Sequence, residues 1–283
     1  VVHYRQAFMA LHSAVLLFAL SGLFAKWLTL SPIDIVFGRA FFACIALGCL
    51  LVVYQKHELF TTKSRLFGLF ITGSILAFHW VSFFSAIQVS SVAIGLLTFA
   101  AFPVFVAMLE PWVFAERYKL ATLIQAAITV IGIYLLLPNE AYANNALLGI
   151  YWGLASALSF AILTLLNRKF VAEVKAKQVA FYQNGFAALV LLPFIDLFTV
   201  SMNLSQWQLL MLLGVVFTAL SHSLFNFSLK RLSGQTASIA VSLEPLYGII
   251  AAYFLLGELV SIQMMVGGGF ILFANIWAMY LKG

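Results

Sequence analysis

Across 283 residues the chain is 64% apolar and 8% charged, with a mean hydropathy of +1.07. A soluble domain carries about 25% charged residues, so this composition excludes a water-soluble globular protein and describes a polytopic membrane protein. The net charge of +6 is spread between apolar runs, a pattern that speaks for membrane topology and against nucleic acid as a partner.

A helix needs about 20 mostly apolar residues to cross the hydrocarbon core. Ten segments meet that length: residues 8–28, 35–54, 66–86, 92–114, 120–137, 147–166, 179–198, 207–229, 238–256 and 262–281. Continuous apolar runs joined by short loops predict an all-α membrane protein of ten transmembrane helices and lack the alternation of a β-barrel. No small-residue cleavage site follows the first run, so it is expected to be a retained span. Cys44 and Cys49 share the second span, about 7.5 Å apart along a helix axis. That is too far for a disulfide, and both are expected to be buried packing residues.

The bases set the orientation. With the N-terminus in the cytoplasm, the inner segments hold Arg5; Lys56, Lys63 and Arg65; Arg117 and Lys119; Arg168, Lys169, Lys175 and Lys177; Lys230 and Arg231; and Lys282. That is 13 of the 15 bases. Lys26 and Arg39 lie inside or at the ends of spans, and no outer loop holds a base. The positive-inside rule then predicts an integral membrane protein with both termini cytoplasmic. "PNEAYANNA", residues 138–146, becomes an outer loop between halves 1–138 and 147–283.

The halves repeat. Pro103 recurs as Pro245 and Glu116 as Glu258, each 142 residues on. His79 pairs with His222, Phe84 with Phe227 and Ser85 with Ser228 at 143. Phe37 pairs with Phe181, Arg39 with Gln183 and Phe42 with Phe186 at 144, and "ALS" at 19–21 recurs at 157–159. Offsets that drift by a few residues across several helices are what a duplicated five-helix unit leaves. Each unit has an odd number of crossings, so the second copy is inverted. Inverted repeats are characteristic of secondary transporters, which bind substrate near the midplane between the copies.

"GLFAKWLTLSPIDIVFGRAFFA" and "SLEPLYGIIAAYFLLGELVSIQMMVGGGFILFANI" resemble the drug/metabolite transporter superfamily, in its EamA-type branch of two tandem five-helix units. The first unit's "AERYKLATLIQAAITVIGIYLLL" is a looser version, with Ala115 in place of the usual glycine. The resemblance covers nearly the whole chain. It implies two inverted repeats around a central cavity lined by the third and eighth helices, transport by alternating access, a bacterial inner membrane and no cofactor. The branch includes exporters of amino acids, aromatic ones among them, so the implied partner is a small-molecule substrate beside the lipid bilayer. Oligomeric state is not implied.

Intramembrane ionisable residues are costly and usually face protein or a water-filled cavity. His79 lies about 20 Å in from the cytoplasm and His222 about 23 Å in from outside, so both are near mid-membrane. Either they contact substrate and carry a coupled proton, or each is a neutral imidazole bonded to a neighbouring helix. Glu244 precedes Pro245, whose ring frees carbonyls of the preceding turn; the acid either binds an ammonium or relays a proton, or it is bonded internally at a kink. Pro103 and Pro245 are the kink and gating candidates. Trp80 and Tyr182 are candidate stacking walls, and Ser82, Gln183, Asn226 and Ser223 candidate hydrogen-bonding groups. Arg39 is expected near the outer end of the second helix, contacting Asp34 or a loop carbonyl, with substrate carboxylate as the other reading. Glu110 is expected to snorkel or pair with a nearby base, Lys26 to anchor a span end, and Glu116 and Glu258 to cap helices. Gly149, Gly153, Ala157 and Ala161 form a small-residue packing face.

An integral-membrane enzyme, or a receptor with an intramembrane pocket, is the rival reading. "HELF" at His57 lacks the second metalloprotease histidine, and neither a Gly-x-Ser-x-Gly nor a cysteine metal pattern occurs.

Overall fold

Over its described residues, each apolar run is mainly helix. The computed structural model describes residues 4–54, 62–114, 120–135, 145–196, 202–241 and 243–280, with the side chains of 121–123, 235, 238, 239 and 278–280 excepted. Glu116, Arg117, Lys119 and most of the 138–146 connection lie outside the described residues.

The first span is α1 (Tyr4–Ser21) followed by the single turn α2 (Phe24–Trp27). The second and third are α3 (Pro32–Tyr54) and α4 (Lys63–Val89). The fourth is split into α5 (Val92–Phe99) and α6 (Phe102–Phe114), and the fifth is α7 (Leu120–Leu135). The sixth and seventh are α8 (Ala146–Glu173) and α9 (Ala176–Leu191). The eighth runs through α10 (Leu204–Gly214), a π-helical segment (Val215–Leu220) and α11 (Ser221–Ser228). The ninth is split into α12 (Gly234–Val241) and α13 (Glu244–Leu256), and the tenth is α14 (Ile262–Tyr280).

Local chemistry sets several starts. Hydroxyl or amide side chains of Ser31, Thr62, Ser91, Asn203, Ser233 and Ser261 each accept from the backbone N–H three residues on, satisfying a donor that has no partner within its helix. The expected continuous spans 8–28, 92–114 and 238–256 are instead interrupted. The breaks in the fourth and ninth spans, at Ala100–Ala101 and between Val241 and Glu244, are a repeat-length apart. Pro103 and Pro245 then stand in the first turn of α6 and α13, where a missing N–H forfeits no helical bond.

Packing reproduces the repeat. α4 lies along α8 while α11 lies along α1; α3 packs on α9, and α7 on α14. In the fourth and ninth spans α5 meets α13 and α6 meets α12. Each half-helix therefore faces the later or earlier half of its counterpart, as antiparallel copies require. Ten spans thus form two inverted five-helix repeats.

Lipid tails give helices no hydrophobic reason to associate, so close backbone approach carries the packing. Gly149, Gly153, Ala157 and Ala161 are all buried on α8. A β-carbon on Gly149 would meet Ser90, and one on Gly153 would meet Thr98. Large apolar side chains such as Phe67, Val130, Tyr151 and Phe254 point outward. Cys44 is half-buried, but Cys49 is exposed on α3; it falls on the lipid-facing side of the helix and not, as expected, in the packed interior.

Gly153→Ala is expected to lower the unfolding temperature in detergent by several degrees. Its methyl would fall 2.8 Å from Thr98 Cβ, and Thr98 is held by its hydroxyl on the Ile94 carbonyl at 2.6 Å; such overpacking costs about 1–3 kcal/mol. Gly269→Ala, with no atom within 4 Å of the new methyl, is the control that should leave the melt unchanged.

Candidate functional site

Where the two halves meet, the helices enclose a small chamber. Seven spans line it: Phe18 and Ser21 from α1, Arg39 from α3, His79, Trp80 and Phe83 from α4, Phe99 from α5, Phe160 from α8, His222 from α11 and Glu244 from α13. Its free volume is about 20 Å³, room for one water and too little for a metabolite. The structure is therefore a closed state of this site.

Arg39 is the largest fully buried side chain among the described residues, 1% exposed. It does not reach Asp34 as expected. Asp34 accepts from the Ser31 hydroxyl at 2.6 Å and from the Asp196 N–H at 2.9 Å. Instead the Arg39 Nε donates to Thr218 Oγ1 at 2.9 Å and Nη2 to the Phe217 carbonyl at 3.4 Å. Both acceptors belong to the π-helical segment. There the Thr218 hydroxyl itself donates to the Leu213 carbonyl, five residues back, at 2.7 Å. The guanidinium stacks on Trp80, 4.2 Å from the ring centroid, and reaches toward Phe84 at 5.3 Å. Nη1 makes no hydrogen bond among the described residues.

Glu244, 3% exposed, is the acid on the chamber wall. It begins α13 at the break in the ninth span, where unpaired helix N–H groups favour an anion. Its carboxylate makes no hydrogen bond among the described residues, and no direct ion pair joins it to Arg39.

The two histidines differ. His79 Nδ1 donates to the Ser156 carbonyl at 3.0 Å, with the Ser156 hydroxyl 2.9 Å from the same nitrogen, and its ring stacks on Phe160 at 4.5 Å. His222 has no hydrogen bond among the described residues. It is held by rings alone: Trp80 at 4.9 Å and Phe18 at 5.0 Å. His79 is thus anchored to a neighbouring helix, while His222 keeps both nitrogens for the chamber.

Of the remaining expected site residues, Trp80 lines the chamber, and five others lie elsewhere. Gln183 and Asn226 join Asn167 in a buried amide cluster: Gln183 Nε2 donates to Asn167 Oδ1 at 2.5 Å and Asn167 Nδ2 to Asn226 Oδ1 at 3.0 Å. Tyr182 packs on Phe181 and Phe186, and Ser82 is buried outside the lining. Ser223 is bonded back to the Ala219 carbonyl. Glu110 pairs with Arg168 at 2.8 Å. Lys26 donates to the Ser90 carbonyl at 3.3 Å. Glu258 accepts from the Val92 N–H at 3.1 Å, so it caps α5 of the other half, while Ser261 caps α14. Thr218 and the rings of Phe18, Phe83, Phe99 and Phe160 were not singled out by sequence. The repeat offers no mark for them, since a phenylalanine in so aromatic a chain carries no signal.

A ten-span helical bundle whose inverted halves close on a charged mid-membrane chamber is built as a membrane transporter. The family description "EamA-like transporter family" matches residues 6–137 and again 147–280, and the chain belongs to that family, within the drug/metabolite transporters. An uncharacterized transporter of Archaeoglobus fulgidus is 29% identical over 96% of this chain and 94% of its own length. An S-adenosylmethionine uptake transporter of Rickettsia prowazekii is 28% identical over 89% and 84%. A crystal structure shares the fold with a TM-score of 0.71, at 16% identity, over 98% of this chain and 99% of that one.

The two histidines should separate experimentally. His79→Phe removes a buried bond to Ser156 and should destabilise the protein by about 1–3 kcal/mol, read as a lower melting temperature. His222→Phe breaks no hydrogen bond among the described residues, so the melt should hold while flux in proteoliposomes falls. Equal melting losses for both would contradict the asymmetry.

Proposed function

We propose that the protein is a secondary transporter that moves metabolites bearing the α-amino-acid group by alternating access across a bacterial inner membrane, with both termini cytoplasmic. The observation that carries this reading is the pairing of Arg39 and Glu244 on one closed chamber. A guanidinium with an unused donor edge suits a carboxylate, and a carboxylate without a hydrogen-bond partner suits an ammonium. Trp80 and the surrounding phenylalanines accept a ring or an apolar side chain. His222 adds a hydrogen bond. Glu244, His222 and His79 are the groups available to carry a coupled proton, with Glu244 and His222 favoured because His79 is already bonded.

Amino-acid export is the reading that the family resemblance supports. The Rickettsia relatives support a second, uptake of S-adenosylmethionine. That molecule has the same zwitterionic end plus a sulfonium cation, which an aromatic wall holds by cation–π attraction. Both readings use Arg39 and Glu244 in the same way and differ in direction and in what fills the aromatic wall.

Counterflow in proteoliposomes tests them, with labelled amino acids, S-adenosylmethionine, and matched amines lacking the carboxylate. The expected result is exchange of one or more zwitterions and none of the amines. Arg39→Gln or Glu244→Gln should reduce that exchange by tenfold or more, since a lost charged hydrogen bond is worth about 1.5–3 kcal/mol. Glu244→Gln should also flatten the pH profile of transport. Vigorous exchange of the amines, or full exchange in Arg39→Gln, would remove the zwitterion reading.

A further inference from the structure

The helix pairs α1·α11 and α4·α8 occupy corresponding places in the two halves, and each is flanked by a crevice on the outside of the bundle. The one beside α4 and α8 measures about 490 Å³ and is lined by Phe78, Leu158, Ile162 and small neighbours, with no charged side chain. A second crevice, beside α1 and the eighth span, measures about 680 Å³ and runs closer to the helix ends. Lys175, Lys177 and Lys230 stand at one end of it, with Met9, Leu220 and Phe227 along its length.

Its dimensions match one leaflet. Lys175 and Lys177 flank the start of α9, and Lys230 follows α11 directly, so the three ammonium groups lie at the same end of the bundle as the start of α1. From Lys230 back to Leu220 is ten residues of helical chain, about 15 Å, which is half of the roughly 30 Å hydrocarbon thickness. The wall is open to lipid, with Met9 59% and Leu220 49% exposed. Lys177 and Lys230 have no ion-pair partner among the described residues.

We propose that this groove binds an anionic phospholipid. Its phosphate sits between Lys177 and Lys230, and an acyl chain lies against Met9, Leu220 and Phe227 down to the midplane. A neutral lipid leaves two ammonium groups uncompensated, and a free phosphate leaves the apolar length of the groove unused; basic grooves between helices at the headgroup level take acidic headgroups for this reason. The lipid bridges α1 of the first half and the α9 and α11 ends of the second. The inference is independent of which substrate is carried.

The test is native mass spectrometry of the purified full chain in detergent, with added phosphatidylglycerol, phosphatidylcholine or inorganic phosphate, alongside melting curves in each. Phosphatidylglycerol should be retained at least fivefold more than phosphatidylcholine and raise the melting temperature. The Lys177→Gln/Lys230→Gln double variant should lose that preference while keeping its lipid-free melt, and Lys63→Gln, outside the groove, should keep it. Equal retention of the two lipids, an undiminished preference in the double variant, or the same stabilisation by inorganic phosphate alone would each overturn the proposal.

Discussion

The structure is organised around a permanently charged group held in the middle of a membrane protein. A guanidinium does not give up its proton at any ordinary pH, and an unpaired charge in a low-dielectric interior is prohibitive. Arg39 is supported from three directions: the face of Trp80, the hydroxyl and carbonyl of the π-helical segment, and the acid Glu244 across the chamber. Two of these supports coincide with departures from regular geometry. In the π-helical segment the Thr218 hydroxyl donates five residues back, and its lone pairs face Arg39 Nε, an arrangement of the kind found at functional sites. The break in the ninth span sets Glu244 on a helix N-terminus. Neither irregularity would be expected from the segments alone.

Symmetry governs the scaffold and fails at the chamber. At the repeat offset, Arg39 corresponds to Gln183, Glu244 to Phe102, and Ser156, which anchors His79, to Phe18, which rests against His222. The duplicated unit supplies the breaks, the crossings and the paired histidines. The charges belong to only one member of each pair. Gln183, in the place of the arginine, sits among neutral amides with Asn167 and Asn226, where hydrogen bonds suffice and no counter-charge is needed. Two like charges at symmetry-related points would repel across a site this small, so one charge of each sign with neutral counterparts is the arrangement that an enclosed chamber tolerates.

The spans and the repeat were legible because both rest on local features: apolar length, and the spacing of prolines, histidines and acids. Helix continuity was not, because the breaks are set by what packs against them. Arg39 was placed too near the surface for a related reason. Its helix begins at Pro32, not at residue 35, so it stands about seven residues or 10 Å deep, and its acceptor is 179 residues away in the chain. One local signal pointed the right way. Ser31 and Asp34 stand three residues apart at the start of a helix, the spacing of a mutual cap, which leaves that acid already engaged. The site of Glu258 misled similarly, since a carboxylate before a helix reads as its cap until an antiparallel neighbour brings a different N-terminus closer.

Closure of the chamber is tight but not costless. Around it the helices are tied by the amide cluster, by Glu110 on Arg168, by Gln88 on the Ala25 and Leu30 carbonyls and by Glu258 on the start of α5. The interior is not fully satisfied: Ser82 Oγ, Thr129 Oγ1, Thr164 Oγ1, Asn184 Oδ1 and Asn226 Nδ2 are buried with no protein partner among the described residues. A buried polar atom left unbonded costs about 1–3 kcal/mol. A fully satisfied interior holds one arrangement more firmly than an interior with such atoms unbonded, and it is between arrangements close in free energy that binding of a small molecule can shift the balance.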